Sequence, residues 1–189
     1  MKKTIAKNAS VLMASQLITW SLALLLTIIL PRYLGVAGIG KLVLANSLWA
    51  IGSVFISFGM GILITKEIAR KAEATAELFS TTIVVRTFLY VIAFVAIIIF
   101  AKVVDYPSDT ILIVYIVGIS VLFGQYAGAG RASLAGLERM EFIALADIVG
   151  KAVNVAVSIA LVLLGFDIMA IAAVSIVTAL VTMFIQLFP

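Results

Sequence analysis

Four stretches of this chain, residues 8–31, 42–65, 110–130 and 168–189, contain no Asp, Glu, Lys or Arg. Each exceeds the roughly 18 residues at which an uncharged apolar run can cross hydrocarbon as a helix. An ionised side chain at the bilayer centre costs about 2.5–3.5 kcal/mol on insertion scales, so charges act as punctuation between spans. Two further apolar segments, 80–101 and 142–166, are long enough to span but carry internal charges, Arg86 in the first and Asp147 with Lys151 in the second. The pattern predicts six transmembrane helices, at about 9–30, 42–64, 80–101, 110–130, 142–166 and 168–188. Pro31, Pro107 and Pro189 all fall at span ends or in connectors, where a missing backbone donor does little harm, so the helices are expected to run uninterrupted.

Composition agrees. Of 189 residues, 65% are hydrophobic and 12% charged, where a soluble domain is about half apolar and a quarter charged. Mean hydropathy is +1.30. Six spans leave only connectors, so residues 1–189 form one six-helix lobe with no room for a separate soluble domain. A β-barrel would need segments of about ten residues alternating apolar and polar, and runs such as 22–26 and 97–100 do not alternate. The basic N-terminus followed by an apolar run could open a signal peptide. This run is too long for one, however, and ends in Leu30, Pro31 and Arg32 without a small-x-small cleavage site.

The chain has no Cys and no His, which removes disulfides, thiol nucleophiles, Ser/His/Asp triads and His or Cys metal sites. It has no Walker-type phosphate loop and no paired intramembrane carboxylates, so no catalytic residues, metal or cofactor are expected. The chain therefore reads as a non-enzyme.

Orientation follows from Lys and Arg in short loops, which are held on the cytoplasmic side. With the N-terminus inside, that side holds Lys2, Lys3, Lys7, Lys66, Arg70, Lys71, Arg131 and Arg139, against Arg32, Lys41 and Lys102 outside. Both ends of the segment are then cytoplasmic. This asymmetry accounts for the net charge of +4, and interleaved Glu67, Glu73, Glu77, Glu138 and Glu141 spoil any basic patch, so no nucleic acid partner is implied.

Polar residues within the spans mark faces that avoid lipid. On the fifth span Asp147, Lys151, Asn154 and Ser158 recur at helical spacing and form one stripe. Lys151 lies near the midplane. Asp147, one turn before it, could neutralise it as an i,i+4 pair; the alternative is a water-filled substrate cavity. Weaker stripes join Gln16, Trp20 and Thr27, then Asn46, Ser53 and Ser57 beside Trp49, then Thr82, Arg86 and Tyr90. Each of these could equally be interhelical hydrogen bonding, and Arg86 could snorkel. Gly124, Gly128 and Ala132 form a small-xxx-small register that signals tight packing. Asp105 and Asp109 flank Pro107 in an outer turn and read as solvated.

The connectors carry a recognisable pattern. Lys7-Asn8 precedes the first span; Arg32, Leu34, Gly35 and Gly40 follow it, with Val36 and Ile39 where a Pro and a Tyr are usual. After the second span come Gly59, Gly61 and Lys66-Glu67-Ile68-Ala69-Arg70, with Lys in place of a first Arg. Arg131, Gly136, Glu138, Arg139 and Met140 precede the fifth. These segments resemble the polysaccharide biosynthesis family of Wzx-type oligosaccharide flippases, within the multidrug/oligosaccharidyl-lipid/polysaccharide exporter superfamily. The resemblance implies one six-helix lobe of a twelve-to-fourteen-helix fold with a central cavity. The partner would be a missing C-terminal lobe or, less favoured, a second copy. It also implies transport of a lipid-linked oligosaccharide across the cytoplasmic membrane. Arg86 and Lys151 would then hold the anionic head group, Asp147 would tune Lys151, and Asn154, Asn46 and Gln16 would bond sugar hydroxyls. Two other functions stay open. A multidrug or organic cation antiporter would need a carboxylate, and the first span has none, leaving Asp147 with a lysine one turn away. A noncatalytic membrane scaffold would need no cavity at all.

Overall fold

The structure, a computed structural model, describes residues 2–188, with side chains from residue 8 onward. The side chains of Lys2, Lys3 and Lys7, which weigh in the orientation, and all of Pro189 lie outside the described residues. Among those described, the chain forms α1 (Lys2–Ser57), α2 (Met60–Arg70), a 3₁₀ turn (Ala72–Ala74), α3 (Thr75–Val103), α4 (Ser108–Gly136), α5 (Met140–Leu163) and α6 (Ile168–Leu187), with no strand. Five of these helices, all but α2, are long and apolar enough to cross a membrane. The fold is an all-α, multi-pass membrane bundle, as the charge-free stretches require.

At 56 residues, α1 would be about 84 Å long if straight, far beyond the roughly 30 Å hydrocarbon core. It turns instead at Gly35, whose φ of 67° and ψ of 178° fall in a region essentially closed to any residue with a Cβ. Residues 2–34 form one arm and 36–57 the other. Cross-helix contacts give their directions. Lys41 pairs with Asp109, Trp49 Nε1 donates to Val114 O and Thr65 Oγ1 to Ala132 O, so the second arm and α2 run parallel to α4. Tyr33 Oη donates to Phe166 O at the end of the first arm, while Gln16 faces the Asp147–Asn154 stretch, so the first arm runs parallel to α5. Antiparallel contacts join α3 to α4 (Tyr90 Oη to Gly118 O) and α5 to α6 (Asn154 Nδ2 to Thr178 Oγ1). The chain thus goes up and down, and its two described ends lie at the same face of the bundle.

The second predicted span does not run uninterrupted. Phe58 (φ 38°) and Gly59 (φ 73°) are both left-handed, ending one helix at Ser57 and starting α2 at Met60. No charge or proline marks this break, so residue counting misses it. Ile64 and Ile68 of α2 are buried and pack with Ala132 of α4.

The driest part of the bundle lies between the second arm of α1, α3 and α4. Trp49, Ile56, Ile113 and Val114 are 0–1% exposed. Trp49 stacks on Tyr90 with centroids 5.7 Å apart and planes at 17°, and Phe94 and Tyr115 continue the aromatic cluster. Close approach to α4 uses Gly128 of the register singled out from sequence, against Arg86, and two glycines outside it. A Cβ on Gly118 would sit 2.5 Å from Trp49 Cζ2, and one on Gly136 would sit 2.8 Å from Ile68 Cβ. A Cβ on Gly124 would meet nothing within 4 Å, because that face of α4 has no neighbour at that level. Asp109 is not merely solvated; it accepts from Lys41.

Candidate functional site

The α5 stripe is polar because it faces a gap. Asp147, Lys151 and Asn154, half-buried, line a cavity of about 570 Å³ together with Gln16, Thr19 and Trp20 of α1, Arg131 of α4, and Thr178 and Thr182 of α6. Gly150 makes the α5/α6 wall possible: a Cβ there would lie 2.4 Å from Thr182 Oγ1. Ser158, the last member of the stripe, is 2% exposed and lies in packing beyond the cavity.

Lys151 sits 11 residues after Met140, the first residue of α5, about 16 Å along the helix at 1.5 Å per residue. Asp147 does not bridge to it. Asp147 Oδ1 accepts from Arg131 Nη1 at 2.6 Å, because α4 and α5 are antiparallel neighbours and place the guanidinium opposite that turn. Among the described residues Lys151 therefore has no ion pair. Asn154 Nδ2 donates to Thr178 Oγ1 at 3.1 Å at the cavity wall. The cavity holds two cations against one carboxylate, surrounded by amides and hydroxyls. Such a set suits a hydroxyl-rich ligand bearing negative charge. Among the described residues no group of three or more metal-ligating side chains occurs.

Arg86 and Asn46 lie elsewhere. Arg86 is 4% exposed, and its Nη1 donates to Gln125 O at 2.6 Å across the α3/α4 contact. Its Nε has no hydrogen-bond partner among the described residues. Asn46 is exposed and donates to Leu42 O of its own helix at 2.8 Å. The structure thus brings Gln16, Asp147, Lys151 and Asn154 together and leaves Arg86 and Asn46 apart. Arg131, Thr178 and Thr182 are lining residues that sequence reasoning did not select. The two threonines are four apart on α6 and were findable by the same stripe criterion. Arg131 was hidden by its place just beyond a charge-free run, where it reads as a loop cation.

The model of the family described as polysaccharide biosynthesis protein matches residues 5–188. The chain belongs to that family. Comparison with curated proteins and with solved structures finds no match. Polysaccharide biosynthesis proteins of this family are generally transporters or flippases, so the chain is a multi-pass membrane protein of a transport family. The family-like segments have structural roles here. Gly35 is the reversal point of α1, and Lys66 to Arg70 form the end of α2, where Glu67 faces Arg70 at 3.6 Å and Ile68 is buried. Arg139 lies over the Phe142 ring, 5.9 Å from its centroid.

Proposed function

We propose that this chain is one lobe of a flippase that moves a lipid-linked oligosaccharide across the cytoplasmic membrane, with both ends of the segment on the cytoplasmic side. The lobe works against a second one, in the same protein or a second copy. The observation that carries this reading is Lys151, an intramembrane ammonium without an ion pair among the described residues, facing a polar cavity. A cation at such depth is retained where an anion passes beside it. In this reading Lys151 and Arg131 hold the phosphate-bearing head group. Gln16, Asn154, Thr178 and Thr182 exchange hydrogen bonds with sugar hydroxyls, and the acyl or prenyl tail stays in lipid. Asp147 tunes the cations through its bridge to Arg131. Arg86 acts on the site through its field alone, being sealed between helices.

The antiporter alternative asks Asp147 to exchange a proton or cation, yet its carboxylate is held by Arg131. The cavity itself speaks against a bare scaffold. The test is head-group translocation in vesicles reconstituted with the protein. Lys151→Ala is expected to lower the rate at least tenfold, equal to about 1.4 kcal/mol, with thermal stability retained. A rate equal to wild type removes the assignment.

A further inference from the structure

A second cavity, of about 640 Å³, lies between α2, α4 and α5. Its walls include Lys66 of α2, Arg131 of α4, and Met140 and Ile143 at the start of α5. No carboxylate lines it; Glu67, Glu138 and Glu141, near in sequence, are absent from its walls. Gly61 and Gly128 form part of the wall, and the Arg86 guanidinium lies directly behind them. A Cβ on Gly128 would be 3.1 Å from Arg86 Nη1, and one on Gly61 would be 4.0 Å from Nη2. Arg86 and Lys66 take part in no ion pair among the described residues. The cavity is therefore lined by two cations, Lys66 and the Asp147-bridged Arg131, with the buried Arg86 guanidinium behind its glycine wall. A cleft lined by one sign of charge concentrates counter-ions.

The two cavities share Arg131 and stand in sequence along the bundle. Leu12 lines this one and Gln16, one turn on, lines the other; on α5, Ile143 is here and Asp147 to Asn154 are there. The second cavity is thus nearer the face that holds the chain's described ends, and the first lies deeper. From this order we infer that the cavity beneath Lys66 is a staging site for the phosphate of a lipid head group. Lys66 and Arg131 receive the phosphate there, and Arg131 then exchanges Asp147 for it as the anion moves on to Lys151. Asp147 is a displaceable internal anion that keeps Arg131 from holding the phosphate permanently. This rests on the flippase reading but adds a site and an order of events to it.

The test uses the full protein in zwitterionic nanodiscs, titrated with inorganic pyrophosphate and with farnesyl diphosphate, with association and dissociation rates resolved. Lys66→Gln is expected to slow association about tenfold for both probes, and Lys66→Arg to restore it. Asp147→Asn is expected to slow dissociation by a similar factor. Wild-type association in Lys66→Gln, with binding lost in Lys151→Gln, would overturn the staging site while leaving the deeper site intact. Wild-type binding in both would remove the flippase assignment as well. Wild-type dissociation in Asp147→Asn would overturn the exchange step. Phosphatidylglycerol in the nanodisc separates the two sources of phosphate: if it abolishes pyrophosphate capture, the cavity is a site for bulk membrane phospholipid and the proposal fails. Thermal unfolding of each variant accompanies the titrations, and Lys66→Arg controls for loss of folding.

Discussion

Arg86 and Lys151 are both cations set within apolar helices, yet the bundle treats them in opposite ways. Arg86 sits in the half built from the second arm of α1, α3 and α4, where it is 4% exposed and tied to the Gln125 carbonyl. Lys151 sits in the half built from the first arm, α5 and α6, half-buried at the edge of a polar gap and bound to no carboxylate among the described residues. The same halves differ in what fills them: interlocked aromatic rings around Trp49 on one side, and Gln16, Asn154 and threonines on the other. A charge within a membrane helix is thus no uniform signal. What surrounds the end of the side chain decides whether it braces the fold or remains available to a ligand.

The sharpest way to break this division is Trp49→Ala. It removes a stacked ring and the hydrogen bond to Val114 O, and is expected to cost about 3–5 kcal/mol of stability, read by thermal unfolding in detergent. The protein that remains folded should bind pyrophosphate as wild type does. If affinity falls along with stability, the two halves are not separate. Next is Arg86→Gln, expected to lower stability by about 1.5–3 kcal/mol through loss of a charged hydrogen bond while weakening pyrophosphate capture less than Lys66→Gln does. The reverse order would make Arg86 a direct ligand. The smallest effects belong to the two asparagines. Asn154→Ala should cost about 0.6–2 kcal/mol by freeing Thr178. Asn46→Ala, which loses only a bond to its own helix, should stay within about 0.5 kcal/mol. Parallel unfolding curves for the two would show that the cavity confers no special weight on Asn154.

The helices were legible because charge is expensive in hydrocarbon, a rule that acts on each residue separately. The α5 stripe was legible because Asp147, Lys151 and Asn154 share a face whatever surrounds them. What a face meets is a property of two helices, and there the sequence is silent. Nothing local to Arg86 says that Gln125 and two glycines wait opposite, or that Arg131 reaches Asp147 before Lys151 does. The packing glycines show the same limit. Gly124 satisfies the small-residue register yet meets no neighbour, whereas Gly118 lies under Trp49 outside that register. The break at Phe58 and Gly59 depends on backbone dihedrals that no charge count records.

The Arg131–Asp147 bridge joins two helices that are consecutive in the chain, separated only by the short turn between Gly136 and Met140. During synthesis α4 emerges first, so α5, which carries both an acid and an amine, reaches the insertion machinery with a counter-charge already in place. The acid of α5 thereby finds its counter-charge on its immediate predecessor, a pairing that does not wait for α6.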